Sequence, residues 1–366
     1  MKKRMIMITK SLKKNNKVVL GLSGGVDSTT AALLLKEKGF EVTGYYFDVL
    51  GTNDEGRQKA ADLAERMGID FYTECVKDEF EEKIIGNFCS EYCGGRTPNP
   101  CTICNPLIKF KKLIEIADKV GAEYIATGHY ARVYKDEKSG LSYIQKGVNE
   151  KKDQSYMLYR LSQDVISRLI LPLGDIEDKE ETRELSRAFK MPNAEAKDSQ
   201  EICFINEAEE SHTEFIEKRM GKAMPGDFVD SDGKVLGKHK GIINYTIGQR
   251  KGLGIALGKP AFVIAIDPVK NQVVLGNNED LFKKEVCSGD NIFSAPLQTE
   301  ALLSQGSIDI YAKIRYAAKP SKAKISKLDD GRILTVFEEA QRAMTPGQSI
   351  VFYVDDKVIG GGFIDL

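Results

Sequence analysis

The chain has 366 residues, 42% of them hydrophobic and 29% charged, and its formal net charge is −1. This composition is typical of a soluble globular protein with two or three domains, and the near-zero charge singles out no class of partner. No apolar run approaches the roughly 18 residues that cross a bilayer, and the basic N-terminus lacks the apolar core of a signal peptide.

We therefore expect a cytoplasmic protein that makes no membrane contact. Residues 1–17 carry seven basic side chains and no acidic one. We interpret them as a flexible cationic arm, with an RNA-contacting arm as the alternative.

The first half of the chain alternates predicted strands and helices. Because strands that alternate with amphipathic helices pair in parallel, we predict an α/β domain with a doubly wound parallel sheet. Ligands of such sheets gather at the carboxyl ends of the strands. The predicted strands are residues 17–23, 41–50, 70–76 and 122–133, and the predicted helices are residues 29–40, 55–68, 78–93 and 106–121.

The second half has a different pattern. Residues 155–185 read as helical, and residues 259–276 read as a hairpin. Four further strands follow at tight spacing, which predicts a small closed β-barrel at the C-terminus. We place boundaries near residues 210 and 280, which gives domains at residues 1–210, 211–280 and 281–366.

The string GLSGGVDS, residues 21–28, joins the first predicted strand to the first predicted helix. Glycines let the backbone approach an anion, and the helix start supplies free N–H groups. Ser23 and Ser28 add hydroxyl groups, and Asp27 is a candidate ligand for a Mg²⁺ ion that accompanies a nucleotide. A purely structural turn is the alternative. The string resembles the pyrophosphate loop of ATP pyrophosphatases, which adenylate a substrate oxygen.

Seven cysteines are an odd number for a chain that looks cytosolic, which favours thiol chemistry or metal ligation over structural disulfides. They are Cys75, Cys89, Cys93, Cys101, Cys104, Cys203 and Cys287.

Cys104 precedes Asn105 and Pro106, a pair that is typical of a helix N-cap and first helical residue. The prediction places the Cys104 thiol just before a helix, where the helix dipole and Lys109 favour the thiolate. A small buried loop cysteine is the alternative. Cys203 follows a predicted turn at Asp198 and Ser199, and its own surroundings fit packing better than chemistry.

Nine strings in this chain, taken in order, resemble the tRNA-specific 2-thiouridylases (the MnmA/TrmU family), which replace oxygen by sulfur at C2 of the wobble uridine. The resemblance spans residues 17–364 and implies a pyrophosphate-loop domain, a small central domain and a C-terminal β-barrel. The strings are GLSGGVDS, TPNPCTICN, ATGHYARV, KDQSYMLYRL, KDSQEICFI, YTIGQRKGLGIA, KIRY, MTPGQSIVFY and GGGFI.

The resemblance implies that ATP and Mg²⁺ are used to adenylate the uridine. It also implies that Asn99, Pro100 and Cys101 face the flipped target base. The implied ATP-binding residues are Gly21, Leu22, Ser23, Gly24, Gly25, Val26, Asp27, Ser28, Phe47 and Gly128.

The resemblance assigns the sulfur chemistry to two cysteines. Cys203 would accept a persulfide from a sulfur-relay protein or a cysteine desulfurase. Cys104 would be the nucleophile that resolves this persulfide, and a transient Cys104–Cys203 disulfide would form.

Family positions that contact tRNA match seven residues, and the expected substrates are the tRNAs for Lys, Glu and Gln. Arg315 lies in the acid-free segment of residues 311–328, which has six basic residues and is a candidate RNA face. The seven residues are His129, Lys152, Asp153, Gln154, Arg315, Tyr316 and Gln348.

Cys101 departs from the family pattern, because many members have aspartate there and a thiol cannot take over an aspartate's role. We raise the hypothesis that Cys101, Cys104 and Cys203 are ligands of a [4Fe–4S] cluster with one open iron. A different pyrophosphate-loop ligase and a non-catalytic RNA-binding protein are two further hypotheses for the chain. Cys89 and Cys93 are either packing residues or extra thiols.

Overall fold

A computed structural model describes residues 15–194, 202–206 and 209–365. Residues 1–14 of the predicted N-terminal arm and the predicted turn at Asp198 and Ser199 lie outside the described residues. None of the helices in the described ranges has the length and apolar composition to span a bilayer.

The elements of the first half are, in chain order, β1 (Lys17–Gly21), α1 (Val26–Glu37), β2 (Glu41–Asp48), α2 (Asp54–Met67), β3 (Asp70–Cys75), α3 (Lys77–Phe80), α4 (Gly86–Cys93), α5 (Pro100–Cys104), α6 (Phe110–Val120), β4 (Tyr124–Ala126), β5 (Ala131–Lys135), β6 (Ser142–Lys146), α7 (Gln163–Arg168), β7 (Leu169–Ile170) and α8 (Lys179–Ala188). Single π-helical turns, Glu81–Ile85 and Asn105–Lys109, join α3 to α4 and α5 to α6.

The elements of the second half are α9 (His212–Met220), β8 (Gly226–Val229), β9 (Val235–His239), β10 (Phe262–Asp267), β11 (Gln272–Gly276), β12 (Phe282–Phe293), α10 (Pro296–Leu303), β13 (Ile308–Lys313), β14 (Ser321–Lys327), β15 (Ile333–Arg342), β16 (Ser349–Val354) and β17 (Lys357–Asp365). Short 3-10 turns occur at Ser155–Leu158, Ile242–Asn244 and Glu279–Leu281.

The first sheet has the strand order β3-β2-β1-β4-β7, and every pair in it is parallel. Central strand β1 is buried on both faces, since Val18 and Leu20 pack with α1 and α2 while Val19 packs with α6. The predicted doubly wound α/β domain is confirmed. The chain leaves β1 toward β2 and returns on its other side at β4, so the ends of β1 and β4 form the switch point where ligands bind.

One predicted helix start is wrong. Helical backbone begins at Pro100 and continues to Val120, and the N-cap is Asn99, whose Oδ1 accepts from Cys101 N–H at 3.2 Å. Asn105 has helical torsions and opens the π-helical turn. Pro106 accounts for that turn, because proline has no N–H and its ring would clash with the carbonyl four residues earlier in a regular α-helix.

The predicted strand at residues 122–133 is in fact two strands, β4 and β5, separated at residues 127–130. Strand β5 pairs with β6, and β6 pairs with β17 of the C-terminal half. The β5–β6 hairpin of the first half therefore extends the C-terminal sheet. The local sequence pattern does not predict this pairing of β6 with β17.

A four-stranded sheet with the order β10-β11-β8-β9 occupies the middle of the chain. The predicted hairpin is confirmed, since β10 and β11 pair antiparallel from Phe262↔Gly276 to Asp267↔Gln272. Its apolar side packs with α4 and α9 in one cluster that includes Phe88, Phe215 and Phe228.

The C-terminal strands form the predicted closed barrel. Their order is β12-β15-β14-β13-β16-β17, and β12 pairs with β17 to close the ring. Alternation along β14, with Ala323 and Ile325 buried between exposed lysines, fills the interior with apolar side chains. The boundaries near residues 210 and 280 stay predictions.

Candidate active site

The loop at residues 21–28 lies at the carboxyl end of β1 and leads into α1. Ser23 N–H donates to Ser28 Oγ at 3.2 Å, and Ser28 Oγ donates to the Gly25 carbonyl at 3.0 Å. Gly25 is the N-cap and offers no side-chain acceptor to the first turn of α1. The N–H groups of that turn are therefore available to an anion, and the helix dipole favours negative charge there.

A cavity of about 310 Å³ opens beside this loop, at the carboxyl ends of β1, β2 and β4. Most of the predicted ATP-binding residues line it, and Gly24, Gly25 and Val26 complete the loop at its edge. Two residues predicted as tRNA contacts, His129 and Gln154, also line it. The lining residues that were predicted for ATP are Gly21, Leu22, Ser23, Asp27, Ser28, Phe47 and Gly128.

Three cavity residues, Tyr45, Tyr46 and Thr127, were missed in the sequence, and Lys109, which was predicted to act on Cys104, was not predicted to line the cavity. Tyr45 and Tyr46 stand next to Phe47 at the carboxyl end of β2, so strand position is a signal that could have identified them. Thr127 follows β4 in the same way. Lys109 lies in a π-helical turn and not at the end of a strand, so strand position could not have identified it.

Asp27 is the single acidic residue among those that line the cavity. Tyr130 Oη donates to Asp27 Oδ1 at 2.7 Å, and Lys179 Nζ of α8 contacts the same oxygen. A Mg²⁺ ion usually takes one or two carboxylates together with phosphate oxygens. Asp27 fits that requirement for a Mg²⁺ ion that arrives with ATP.

Gly128 lets the end of β4 approach the phosphate loop closely. A Cβ at this position would lie 2.9 Å from the carbonyl carbon of Asp27 and 3.0 Å from Ser28 N. Both neighbours are backbone atoms, so they could move only by displacing the loop.

We expect Gly128→Ala to lower the rate of pyrophosphate release from ATP at least about tenfold, because overpacking shifts the phosphate loop. Gly289→Ala is the control, since a methyl group on this glycine of β12 would meet no described atom within 4 Å. Pyrophosphate release measured under saturating ATP and tRNA tests the expectation. Equal rates for the two variants would contradict it.

Cys104 is the last residue of α5, inside the continuous helical run, and it is half-buried. Burial raises the pKa of its thiol to about 12, while Lys109 acts in the opposite direction through its charge and its backbone N–H. The predicted activation at a helix start is therefore wrong for this conformation. A pKa raised this far favours the protonated form of the Cys104 thiol at neutral pH.

Alkylation tests this protonation state. At pH 8 a thiol with a pKa of about 12 is thiolate in roughly one molecule in ten thousand, so Cys104 should react about a thousandfold more slowly than an ordinary exposed thiol. The rate should rise about tenfold per pH unit from pH 7 to 9.5. Peptide mass spectrometry after timed iodoacetamide treatment measures it, with exposed Cys75 as internal reference. Equal rates would show that the thiol is not shielded.

Cys203 lies in the described segment 202–206 and is exposed. Its neighbours Ile202 and Phe204 pack on the same hydrophobic cluster as Cys104 and Phe47. Desolvation raises the pKa of the Cys203 thiol, Cys101 raises it further, and Lys109 lowers it. The structure thus brings Cys101, Cys104 and Cys203 into electrostatic range of one another, and all three are free thiols.

Within residues 15–194, 202–206 and 209–365, no three His, Cys, Asp or Glu side chains converge as metal ligands. Cys89 is buried in the apolar cluster of α4, which agrees with packing, and Cys93 is exposed.

The loop at residues 96–99 is held by the C-terminal part of the chain. Thr97 N–H donates to the Pro346 carbonyl at 2.8 Å, and Gln348 Nε2 donates to the Thr97 carbonyl at 2.8 Å. Arg96 pairs with Glu91 and with Asp365 at the end of the barrel. Gln348, which was predicted to contact tRNA, thus supports the loop that precedes Pro100 and Cys101.

The other predicted tRNA contacts form three groups, in the cavity, in the turn at Lys152 and Asp153, and on the barrel. His129 and Gln154 lie in the cavity, where His129 Nδ1 is 2.7 Å from Thr127 Oγ1 and Gln154 Oε1 accepts from Tyr130 N–H at 2.9 Å. Burial, helped by Lys109, lowers the pKa of His129 well below its usual value, so its imidazole is neutral.

Asp153 is buried and accepts hydrogen bonds from Gly147 N–H and Ser155 N–H, both at 3.1 Å. It shapes the turn that carries half-buried Lys152.

Arg315 and Tyr316 lie on the barrel. Arg315 Nη2 donates to the Arg342 carbonyl at 3.0 Å and also contacts the Ala343 carbonyl, while Tyr316 packs beside Tyr156. In the acid-free segment, Lys324 pairs with Asp309 at 3.6 Å and Lys327 pairs with Glu300. Acids from β13 and α10 therefore lie against part of the candidate RNA face, which weakens that interpretation.

A parallel α/β sheet with a glycine loop, a free helix start and a cavity at its switch point defines a nucleotide-binding α/β protein. Three family models match successive parts of the chain. They are described as tRNA methyl transferase HUP domain (residues 16–207), tRNA methyl transferase PRC-barrel domain (residues 213–277) and Aminomethyltransferase beta-barrel domain (residues 293–364).

Two relatives are similar over nearly their whole length. The tRNA-specific 2-thiouridylase MnmA of Clostridioides difficile is 46% identical over 364 residues, which cover 96% of this chain and 98% of the relative. The protein of the same name from Clostridium acetobutylicum is 47% identical over 363 residues, covering 96% and 99%. The chain belongs to the tRNA-specific 2-thiouridylase MnmA family.

Among solved structures, NMN synthetase from Francisella tularensis overlaps 58% of this chain and 79% of its own, with 18% identity and a TM-score of 0.34. A TM-score this low indicates only a loose structural resemblance.

Proposed function

We propose that this chain is an ATP-dependent tRNA sulfurtransferase that converts the wobble uridine to 2-thiouridine. The observation that supports the proposal is that a residue of the nucleotide cavity packs in the same hydrophobic cluster as residues at the two cysteines. Phe47 of the nucleotide cavity, Cys104 and both neighbours of Cys203 lie on one hydrophobic cluster. A phosphate-binding loop near two free thiols suits a reaction that first activates an oxygen and then replaces it by sulfur.

In the first half-reaction, uridine O2 attacks the α-phosphorus of ATP. The N3 proton is released, the bond from the α-phosphorus to the bridging oxygen breaks, and pyrophosphate leaves. The loop at residues 21–28 binds the phosphates, and Asp27 would hold a Mg²⁺ ion, which would supply positive charge to neutralise part of theirs. Asn99, Pro100 and Cys101 face the extruded base.

In the second half-reaction, the outer sulfur of a Cys203 persulfide attacks C2. The C2–O2 bond breaks, and AMP leaves with the uridine oxygen. Cys104 then attacks Cys203 Sγ, the bond to the outer sulfur breaks, and 2-thiouridine keeps that sulfur and takes up a proton at N3. The product on the protein is a Cys104–Cys203 disulfide, which a thiol reductant returns to two thiols.

The partners in this proposal are tRNAs, with those for Lys, Glu and Gln as first substrates to test, and a sulfur-relay protein or cysteine desulfurase that loads Cys203. His129, Lys152, Gln154, Arg315 and Tyr316 are proposed contacts to tRNA. Gln348 and Asp153 contribute by shaping neighbouring loops. We propose a catalytic domain at residues 1–210. A small domain at residues 211–280 contacts tRNA, and the C-terminal barrel at residues 281–366 binds tRNA.

The test uses an unmodified tRNA transcript, MgATP and a persulfide-loaded donor. Nucleoside mass spectrometry should detect 2-thiouridine at the wobble position, and AMP and pyrophosphate should form in step with it. The matched family models carry a methyltransferase description, and a methylated nucleoside without thiolation would contradict the proposal. Binding of tRNA without release of pyrophosphate would indicate a non-catalytic RNA-binding protein. We derive no step through a [4Fe–4S] group.

A further inference from the structure

Lys109 lies between the nucleotide cavity and the thiols. It lines the cavity that holds the phosphate loop. Its charge also lowers the pKa of Cys104, of Cys203 and of His129, which places the ammonium near all three side chains. Among the residues that line the cavity it is the single lysine or arginine.

The local backbone explains how one lysine reaches both places. In an α-helix of 3.6 residues per turn, residues five apart lie about 140° apart around the axis, so Cys104 and Lys109 would face different directions. The π-helical turn Asn105–Lys109 widens the helix at this point and brings Lys109 toward the side of Cys104. The backbone N–H of Lys109 accordingly helps to lower the pKa of the Cys104 thiol.

The ammonium of Lys109 has no counterion in the part of the chain that the structure describes. No hydrogen bond or ion pair from those residues reaches Lys109 Nζ, although the residue is only half-exposed. The neighbouring lysines differ, since Lys111 pairs with Glu79 at 2.8 Å and Lys112 pairs with Glu74 at 2.9 Å. A partly buried cation without an acid, next to an anion-binding loop, is suited to an anionic ligand.

We propose that Lys109 is a catalytic residue shared by the two half-reactions. In the first, its ammonium binds an α-phosphate oxygen as uridine O2 attacks and pyrophosphate leaves. In the second, the same ammonium stabilises the persulfide anion of Cys203 as it attacks C2 and AMP departs. This inference rests on the proposed function, and it assigns to one side chain the charge stabilisation that both steps need.

Three readouts test the inference on the full-length protein with tRNA, MgATP and a persulfide donor. The first is pyrophosphate release, the second is persulfide loading of Cys203 measured by the mass of alkylated protein, and the third is 2-thiouridine yield. Lys109→Met should slow pyrophosphate release and thiolation by about a hundredfold or more. Its Cys203 loading should stay within about threefold of the unmodified protein, because loading precedes both charge-forming steps.

Lys111→Met is the matched control, because Lys111 lies on the same helical run and its ammonium already has an acidic partner. Lys109→Ala with added ethylammonium gives a second measurement, in which recovery of pyrophosphate release separates a missing cation from a folding defect. Lys109→Met activity equal to that of Lys111→Met would overturn the inference, as would a loss confined to one half-reaction. Absence of 2-thiouridine with the unmodified protein would instead refute the proposed function.

Discussion

The Cys203→Ser protein should release pyrophosphate from ATP in the presence of tRNA and yet form no 2-thiouridine. A serine hydroxyl cannot carry a persulfide, while the phosphate loop lies on a different segment and stays intact. We expect less than about one hundredth of the normal thiolation yield, with pyrophosphate release within about threefold of the unmodified protein. Parallel assays of pyrophosphate and of nucleosides from digested tRNA measure the two halves separately.

Cys75→Ser is the control for this experiment, since Cys75 is an exposed thiol at the end of β3. It should retain both activities. A Cys203→Ser protein that still thiolates tRNA would refute the persulfide assignment. The same variants should also be assayed as iron-free protein and as protein reconstituted with iron under anaerobic conditions. This comparison distinguishes the persulfide assignment from the cluster hypothesis. Thiolation that occurs only with iron would favour the cluster hypothesis.

The Asp27→Asn protein should lose adenylation. The amide has nearly the shape of the carboxylate but no charge, so it can neither attract Lys179 strongly nor hold a Mg²⁺ ion as the carboxylate does. We expect kcat/KM for pyrophosphate release to fall by about a hundredfold or more. Persulfide loading of Cys203 should persist, because it does not require ATP.

Asp54→Asn is the matched control, since the Asp54 side chain is 85% exposed at the start of α2 and pairs only with Arg57 among the described residues. Its activity should equal that of the unmodified protein. Titration of Mg²⁺ adds a readout specific to the proposed role. If Asp27→Asn showed normal pyrophosphate release at every Mg²⁺ concentration, Asp27 would have no part in holding the ion.

Much of the fold could be predicted because local pattern and tertiary burial agree. Val18, Val19 and Leu20 form an apolar run that is buried on both faces of the sheet, as such runs are in parallel sheets. The β14 alternation similarly matches the inside and outside of the barrel. In both cases the order of apolar residues along a single strand matches which of its side chains are buried.

The start of the helix at Pro100 could not be predicted, because the chain offers the same signal twice. Asn99-Pro100 and Asn105-Pro106 are both good cap pairs. Tertiary contacts favour the first, since Asn105 is buried with its Nδ2 donating to the Met157 carbonyl at 2.8 Å, and Ile108 is buried in the apolar cluster. The second pair becomes a π-helical turn inside a longer helical run.

Local sequence is enough to define the parallel α/β domain, the glycine loop at its edge and the barrel. These features rest on residue period, glycine content and short strings, which need no knowledge of distant contacts. Only the folded chain reveals that the thiol of Cys104 is shielded and that Gln348 supports the loop at Thr97. Only the folded chain also reveals that Lys109 lines the nucleotide cavity and lies near the Cys104 thiol. Burial and the direction of a side chain depend on segments far apart in the chain, and no local pattern encodes them.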